Sequence, residues 1–90
     1  MQIECVFFGP LRDVVGEKSV VHDTDAETAG ELLRELEAAY PNLRTLVSGE
    51  ELADGIAVTL NKQHLPNLDG LGTKLEDGDV LRLTTAVYGG

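Results

Sequence analysis

Cysteine and basic residues are scarce in this chain of 90 residues. Cys5 is the only cysteine, so no disulfide can form within the chain, and a reducing, cytoplasmic environment is expected. Lysine and arginine together number 7 against 16 aspartates and glutamates, which gives a net charge of -9. Because proteins bind nucleic acids largely through Lys and Arg that displace counterions, nucleic acid is not expected as a partner.

Long apolar runs are also absent. No uninterrupted stretch approaches the roughly 18 residues of a membrane span, and the first ten residues lack the basic region and cleavage site of a signal peptide. Hydrophobic residues nevertheless make up 42% of the chain and are spread along it, as in a folded globular protein. We therefore expect one domain over residues 1–90, without membrane contact and without a large active-site cavity.

Four segments have the composition of β-strands: residues 2–8, 18–22, 56–60 and 79–85. In the first, Ile3, Cys5 and Phe7 share one face, and Val6 and Phe8 lie on the other with the polar residues. The second strand is predicted to run antiparallel to the first. In the last strand, Leu81 and Leu83 are predicted to face the core, and residues 61–62 are predicted to turn the chain after the third.

One long helix is predicted before Pro41, which disfavours helical geometry at the residue before it. Two overlapping capping boxes offer a start, Thr24 with Glu27 or Thr28 with Glu31. An apolar stripe at helical spacing follows: Leu32, Leu33, Leu36, Ala39 and Tyr40.

The sequence signals for the shorter elements are weaker than those for the strands and the long helix. Residues 10–15 predict a single helical turn between Pro10 and Gly16, and the spacing of Leu43, Leu46 and Val47 predicts another. Residues 64–78 are rich in turn formers and predict a long loop that ends in a turn at Asp77-Gly78. The resulting order of β, β, α, β, β predicts an α+β fold in which one helix crosses one face of a mixed, β-grasp-like sheet.

The part of the chain before the C-terminal tail has few candidate catalytic or metal-binding residues. Cys5 is expected to be a small buried hydrophobe rather than a nucleophile, and His22 and His64 are expected to be solvated. The carboxylates of "DTDAE" at 23–27 do not make a calcium loop, because Thr28 and Arg34 stand where that loop needs Gly and Glu. "GLGTKL" lacks the third glycine of a dinucleotide loop. We expect no catalytic group, no bound cofactor and no metal site.

The last residues, "TTAVYGG", have a different character. Residues 85–90 extended would reach roughly 20 Å, far enough to enter another protein's cleft. Gly89 and Gly90 lack a Cβ and so can pass a narrow channel, leaving the terminal carbonyl open to attack. A free carboxylate is ionised at neutral pH and resists nucleophiles, so it must first be activated, for instance as an acyl-adenylate.

Four segments together resemble the ubiquitin-like sulfur-carrier family, which includes the MoaD-type small subunit of molybdopterin synthase and the small archaeal modifier proteins. They are "VFFGPLRDVVGEKS", "TAGELLRELEAAYP", "LEDGDVLRL" and "AVYGG", in that order along nearly the whole chain. The resemblance implies a β-grasp fold and a partner, an E1-like enzyme, that uses ATP and Mg²⁺ to adenylate the terminal glycine. It makes Gly90 the reacting residue and Gly89, Tyr88 and Val87 the residues that the partner recognises.

The chain departs from the sulfur-carrier subunits before the tail, where Thr84, Thr85 and Ala86 stand in place of an aromatic residue and two prolines. This difference and the acidic, lysine-poor composition favour the archaeal modifier branch, and such a composition also resembles that of proteins from salt-loving archaea.

Three functions follow as hypotheses. The first is a modifier, itself no enzyme, whose Gly90 is joined by an isopeptide bond to lysines of target proteins. The second is a sulfur carrier that forms a thiocarboxylate for molybdopterin biosynthesis, with the molybdopterin synthase large subunit as partner, or for tRNA thiolation. The third is a non-covalent interaction module. Lys18, Lys62 and Lys74 are candidate conjugate acceptors. Val6 and Phe8 are either a partner docking site or are covered by a loop.

Overall fold

The computed structural model describes residues 1–85 and, within them, a five-stranded mixed sheet, a short hairpin and two α-helices. The helices are α1 (Pro10–Val15) and α2 (Ala29–Ala39), and 3-10 turns cover Leu65–Asn67 and Gly70–Gly72. The strands are β1 (Gln2–Phe7), β2 (Ser19–Asp23), β3 (Val47–Ser48), β4 (Glu51–Leu52), β5 (Ile56–Leu60), β6 (Gln63–His64) and β7 (Val80–Thr85).

The sheet has the strand order β2-β1-β7-β5-β6. β1 and β7 run parallel beside each other, and the other neighbours are antiparallel, including the predicted β1–β2 pair. β7 is bonded on both sides and pairs with β5 as far as Thr85, which lies opposite Ile56. The predicted tail therefore begins one residue too early, because Thr85 belongs to the strand.

The core lies between α2 and one face of this sheet. The predicted helix stripe contributes Leu32, Leu33 and Leu36, all fully buried. Its last two residues differ from the prediction, because Ala39 is exposed and Tyr40, which follows the last helical residue, is half-buried. The sheet contributes the predicted inward-facing residues, all of them fully buried: Ile3, Cys5, Phe7, Leu81 and Leu83. The predicted α+β arrangement of one helix across one face of a mixed sheet is confirmed. Neither α-helix in residues 1–85 is long and apolar enough to cross a membrane.

The start of α2 uses the second of the two predicted capping boxes. The Thr28 hydroxyl accepts from the Glu31 backbone N–H at 3.3 Å, and Glu31 Oε2 accepts from the Glu27 N–H at 3.0 Å. The Thr24 box is wrong, because Thr24 Oγ1 instead accepts from the Ala26 N–H and donates to Glu35 Oε1 at 2.6 Å. Thr24 thereby makes a local turn that precedes the helix.

The predicted helical turn at residues 43–47 is also wrong. Leu43, Leu46 and Val47 are buried, but Val47 begins the β3–β4 hairpin, which turns at Gly49 with φ of 62°. A side chain of α2 explains the difference, since Glu37 Oε2 accepts from the Leu46 N–H at 2.7 Å. That N–H is then unavailable to a local helix.

The predicted loop of residues 64–78 is only partly irregular. His64 lies in β6, where it pairs with Thr59 of β5, and the two 3-10 turns follow. Two predicted turns are confirmed: Asn61 and Lys62 connect β5 to β6 with positive φ, and the Asp79 N–H donates to the Glu76 carbonyl around Asp77-Gly78.

Candidate functional site

The root of the predicted tail lies at the end of β7, in the middle of the sheet. The structural description ends at Thr85, so the predicted tail residues Val87, Tyr88, Gly89 and Gly90 lie outside the described residues. β7 is held by β5 on one side and by β1 on the other, and the Phe8 N–H donates to the Leu83 carbonyl at 3.1 Å. This places the root beside the connection from β1 to α1.

That connection carries an arginine in a fixed position. Gly9 turns the chain with φ of 57°, and Pro10 occupies the first turn of α1. Arg12 Nε then donates to the Phe7 carbonyl at 3.1 Å, and its guanidinium carbon lies 5.7 Å from the centre of the Phe8 ring. A guanidinium over an aromatic face is attracted by the ring quadrupole, so the two side chains stabilise each other.

A second arginine lies on the same, outer face of the sheet. Arg82 of β7 is the neighbour of Val6 in β1 and of Thr59 in β5. Both arginines and Phe8 are half-buried. We call Val6, Phe8, Arg12, Arg82 and Thr84 the tail-end face. Sequence analysis did not single out Arg12 or Arg82, since their only signal was membership of the few basic residues.

The expectation for Val6 needs correction. The sequence placed Val6 with Phe8 on the outer face as an exposed docking residue or one covered by a loop, but Val6 is only 8% exposed. Its neighbours across the two adjacent strands are Ser19 and Arg82. Because directly paired side chains on one face stand only about 5 Å apart, a valine in a central strand is shielded by them. Phe8 remains half-buried at the margin.

The thiol behaves as predicted. Cys5 is fully buried, and its Sγ lies 3.8 Å from the Ile3 carbonyl oxygen. Burial, with a smaller contribution from the Glu4 charge, raises the pKa of Cys5 to about 12. At neutral pH the group is therefore a protonated thiol without access to a partner.

The two histidines differ from each other. His64 is exposed, as predicted. His22 is half-buried, with Nε2 at 3.1 Å from Glu35 Oε1, so its predicted solvation is wrong. The reason is register: His22 lies opposite Ile3 and so shares the face that α2 covers. The contact ties β2 to α2.

Two motifs were rejected from the sequence, the carboxylates of "DTDAE" and the glycines of "GLGTKL". Within residues 1–85 no group of three or more His, Cys, Asp or Glu side chains is arranged to hold a metal ion. In "GLGTKL" the glycines form a 3-10 turn, and Lys74 makes an isolated bridge with Thr28 rather than leading into a helix.

The three candidate acceptor lysines are all exposed, at different places. Lys18 lies at the tail end of the sheet, where its carbonyl accepts from the Phe7 N–H. Lys62 lies at the other end of β7, in the turn whose Asn61 N–H donates to the Val80 carbonyl. Lys74 lies near the start of α2. Exposure leaves all three as candidates.

Comparison with known proteins gives consistent results over nearly the whole chain. The model of the ThiS family matches residues 5–90. Small archaeal modifier protein 3 of Haloferax volcanii is 38% identical over the full length of both chains. The crystal structure of SAMP1 from the same organism has a TM-score of 0.80 and 34% identity, with both chains fully covered.

A further solved structure adds a complex. The crystal structure of the Amycolatopsis orientalis BexX/CysO complex contains a chain with a TM-score of 0.81 and 30% identity, covering 98% of this chain and 99% of the other. The likeness to these structures confirms the ubiquitin-like β-grasp fold.

Proposed function

We propose that this chain, which belongs to the ThiS family, is a ubiquitin-like modifier whose Gly90 is joined by an isopeptide bond to lysines of other proteins. The observation that carries the proposal is the full-length identity of 38% to Small archaeal modifier protein 3. The chain is thus a homologue of a small archaeal modifier within a family of ubiquitin-like modifiers and sulfur carriers. The proposal specifies which bond Gly90 forms.

The chemistry requires two steps at one carbon atom. In the first, the Gly90 carboxylate attacks the α-phosphorus of ATP on an E1-like enzyme, pyrophosphate leaves, and an acyl-adenylate forms. In the second, the ε-amine of a target lysine attacks the carbonyl carbon, AMP leaves, and the nitrogen loses a proton to give the amide. ATP and Mg²⁺ are used by the enzyme, and this chain contributes only the carboxylate.

The residues of the tail are suited to a chain that contributes only its carboxylate to the reaction. Gly89 and Gly90 offer the smallest cross-section to a channel, and Tyr88 and Val87 are the side chains by which a partner would recognise the tail. The folded body adds no competing nucleophile at Cys5, because that thiol is buried and its pKa is raised to about 12. An adenylate at Gly90 would therefore not be captured by the chain's own cysteine.

A second candidate, a sulfur carrier, is favoured by the match to the ThiS family and by the likeness to the CysO complex. Here a persulfide attacks the same adenylate and AMP leaves. A second thiol then attacks the sulfur–sulfur bond, which releases the thiocarboxylate and leaves a disulfide on the donor. The product would serve molybdopterin biosynthesis, with the synthase large subunit as partner, or tRNA thiolation.

The test compares two chains in the native host, the full sequence and the same sequence without Gly90, both with one N-terminal tag. Both are purified under denaturing conditions, so that only covalent products remain. The deletion leaves residues 1–85 unchanged and is a matched control for folding. We expect conjugates with other proteins from the full chain and none from the control.

Two other outcomes would contradict the proposal. A sulfur-for-oxygen exchange at Gly90 without conjugates would make the chain a sulfur carrier. Because oxidation of Met1 or Cys5 adds nearly the same mass, the exchange must be located by fragmentation. Neither product, with partners retained by both chains, would make it a non-covalent module.

A further inference from the structure

β2 is an outer strand of the sheet, and one of its two edges has no partner strand within residues 1–85. In the strand order β2-β1-β7-β5-β6 it pairs only with β1. β6, the outer strand on the other side, has two residues, whereas β2 has five. Since an unpaired edge is a template for pairing with another chain, β2 offers a longer site for an added strand than β6 does.

The hydrogen bonds to β1 determine which backbone groups of β2 point outward. The Phe7 N–H donates to the Lys18 carbonyl at 2.9 Å, and the Thr24 N–H donates to the Met1 carbonyl at 2.9 Å. Residues of an antiparallel pair alternate between bonding to the neighbouring strand and pointing away from it. The even-numbered residues between Lys18 and Thr24 therefore bond to β1 as well. The odd-numbered residues direct their backbone N–H and C=O groups to the open edge: Ser19, Val21 and Asp23.

The middle of this open edge is unprotected. Natural proteins usually block an edge strand with a bulge, a proline or a charged side chain. Here the register runs without a bulge from the Gln2–Asp23 pair to the Val6–Ser19 pair, and the strand contains no proline. Its middle residue is Val21, whose 65% exposure exceeds that of every other large hydrophobic residue in residues 1–85. An apolar contact is thus available beside outward-pointing backbone groups.

The two faces of β2 would meet alternate side chains of an added strand. Val21 lies on the outer face, opposite Glu4 of β1. Val20 lies on the inner face, where it is half-buried against the core, and His22 on that face contacts Glu35 of α2 at 3.1 Å. Because paired side chains on one face stand about 5 Å apart, β-branched side chains in the added strand would cover a valine on each face.

The charge around β2 determines the chemistry of the partner. Three exposed carboxylates near the strand make no ion pair within residues 1–85: Glu4, Glu17 and Asp25. The Asp23 side chain is 85% exposed, although it faces the N-terminal amine across 3.7 Å. Lys18 is the only lysine or arginine in residues 17–25. This edge therefore attracts a basic segment, and it disfavours a second copy of a chain whose net charge is -9.

We propose that β2 is a strand-addition site for a partner protein, which supplies an extended segment rich in β-branched residues with lysine or arginine near its ends. The backbone hydrogen bonds supply affinity, and the valines and carboxylates of this chain select the partner's side chains. β1 separates β2 from β7, the strand that leads to the tail. The site goes beyond the proposed function, because a partner would recognise the chain here without forming a bond at Gly90.

The test uses the purified, ¹⁵N-labelled full chain and a short synthetic peptide of alternating valine and threonine with a lysine at each end. Amide hydrogen exchange is followed by NMR. At saturation the peptide is expected to slow exchange at Ser19, Val21 and Asp23 by at least about tenfold, and to change it little at Val20 and His22, which already bond to β1. A matched peptide with glutamate at each end should bind at least about tenfold more weakly at low salt.

Substitutions at Val21 test the same edge from the other side. Val21→Pro removes an N–H that points to the open edge and no bond to β1, so the sheet should tolerate it and the peptide should no longer bind. Val21→Lys places a like charge beside the basic peptide and should weaken binding at least about threefold. Val14→Lys is the matched control, because Val14 is 44% exposed but lies on α1, and its effect should stay within about twofold. Thermal denaturation shows which variants fold, and Val21→Lys carries the test if Val21→Pro does not.

Three outcomes would overturn the proposal. The first is exchange that the lysine-ended peptide does not slow in this alternating pattern, or slows equally in a folded Val21 variant. The second is equal binding of the lysine-ended and glutamate-ended peptides. The third is slowed exchange that needs no peptide and increases with protein concentration, which would make a second copy the occupant of the edge. None of them bears on the bond that Gly90 forms, because no activating enzyme is present.

Discussion

The side chain of Cys5 shows how burial alone removes a reactive group from the chemistry of this protein. Its place on the inward face of β1 follows from the alternation of the strand, because Ile3 and Phe7 flank it there and are equally buried. A thiolate in that position would lose its hydration without gaining a cation. The raised pKa is the result.

A pH dependence of stability follows from the Cys5 shift. Below pH 9 the thiol is protonated in both states, so its contribution to stability is complete. Between pH 9 and about 12 only the unfolded chain loses the proton, so stability falls by about 1.4 kcal/mol per pH unit. Urea unfolding of the wild type and of Cys5→Ala at pH 8 and pH 10 measures this pH dependence. Groups other than Cys5 titrate in both proteins, so their contributions cancel when the two free energies of unfolding are subtracted. If the free energies of unfolding of the two proteins differed by the same amount at pH 8 and pH 10, the raised pKa of Cys5 would be contradicted.

The tail-end face marks the limit of residue-level prediction. Strand alternation placed Val6 and Phe8 on the outer face correctly, yet it gave no information on how far neighbouring strands shield Val6. That depends on the pairing of β1 with β2 and β7, which no local pattern contains. The position of Arg82 arises from the same long-range pairing, whereas Arg12 is held by local contacts with Phe7 and Phe8.

Among the elements, those with a strong local signal were predicted, and those held by long-range contacts were not. The capping box at Thr28, the three leucines of the α2 stripe and the breaker at Pro41 agree with the structure. The hairpin of β3 and β4 was missed because strands of two residues have no periodicity to detect. Leu46, which precedes the hairpin, is held by a hydrogen bond from its backbone N–H to the Glu37 carboxylate of α2.

The packing of α2 against the 3-10 turn at Gly70–Gly72 gives a prediction for Gly30. A Cβ at Gly30 would lie 2.9 Å from Leu71 Cβ and 3.1 Å from the Leu71 carbonyl oxygen. Gly30→Ala should therefore lower the free energy of unfolding by about 1–3 kcal/mol, against the usual gain for alanine in a helix. Gly72→Ala is the control, because a Cβ there meets nothing within 4 Å. Equal stability of the two variants in urea would disprove the close contact.

The turn between β5 and β6 gives a prediction of opposite sign. Lys62 has φ of 74°, a left-handed conformation that costs a residue with a Cβ on the order of 1 kcal/mol. Lys62→Gly should raise the free energy of unfolding by about 0.5–1 kcal/mol, since glycine is the preferred second residue of such hairpin turns. Lys62→Ala is the control, because it removes the same charge but keeps a Cβ in the left-handed conformation. An equal rise in the free energy of unfolding for Lys62→Ala and Lys62→Gly would show that the loss of charge, and not the relief of backbone strain, is the cause.

At the scale of the whole molecule, charge is the dominant feature. A net charge of -9 on 90 residues opposes compaction through self-repulsion.

Salt should therefore stabilise the fold. Raising NaCl from about 0.01 to 0.2 M shortens the screening length from about 30 Å to below 10 Å, and the free energy of unfolding should rise on the order of 1 kcal/mol. Urea unfolding at neutral pH measures this change. The same series at pH 5, close to the pI of about 4.4, is the control and should show a smaller gain. An equal gain at both pH values would point away from self-repulsion.

The central claim is that Gly90 forms isopeptide bonds, and a tryptic digest of the conjugates tests it most directly. Arg82 is the last tryptic site, so a modified lysine would carry residues 83–90, "LTTAVYGG", as a branch. We predict lysines of other proteins bearing this branch in digests from the full chain and none from the chain lacking Gly90. Absence of the branch from the full chain, in a digest where the unconjugated peptide of residues 83–90 is readily detected, would contradict the account.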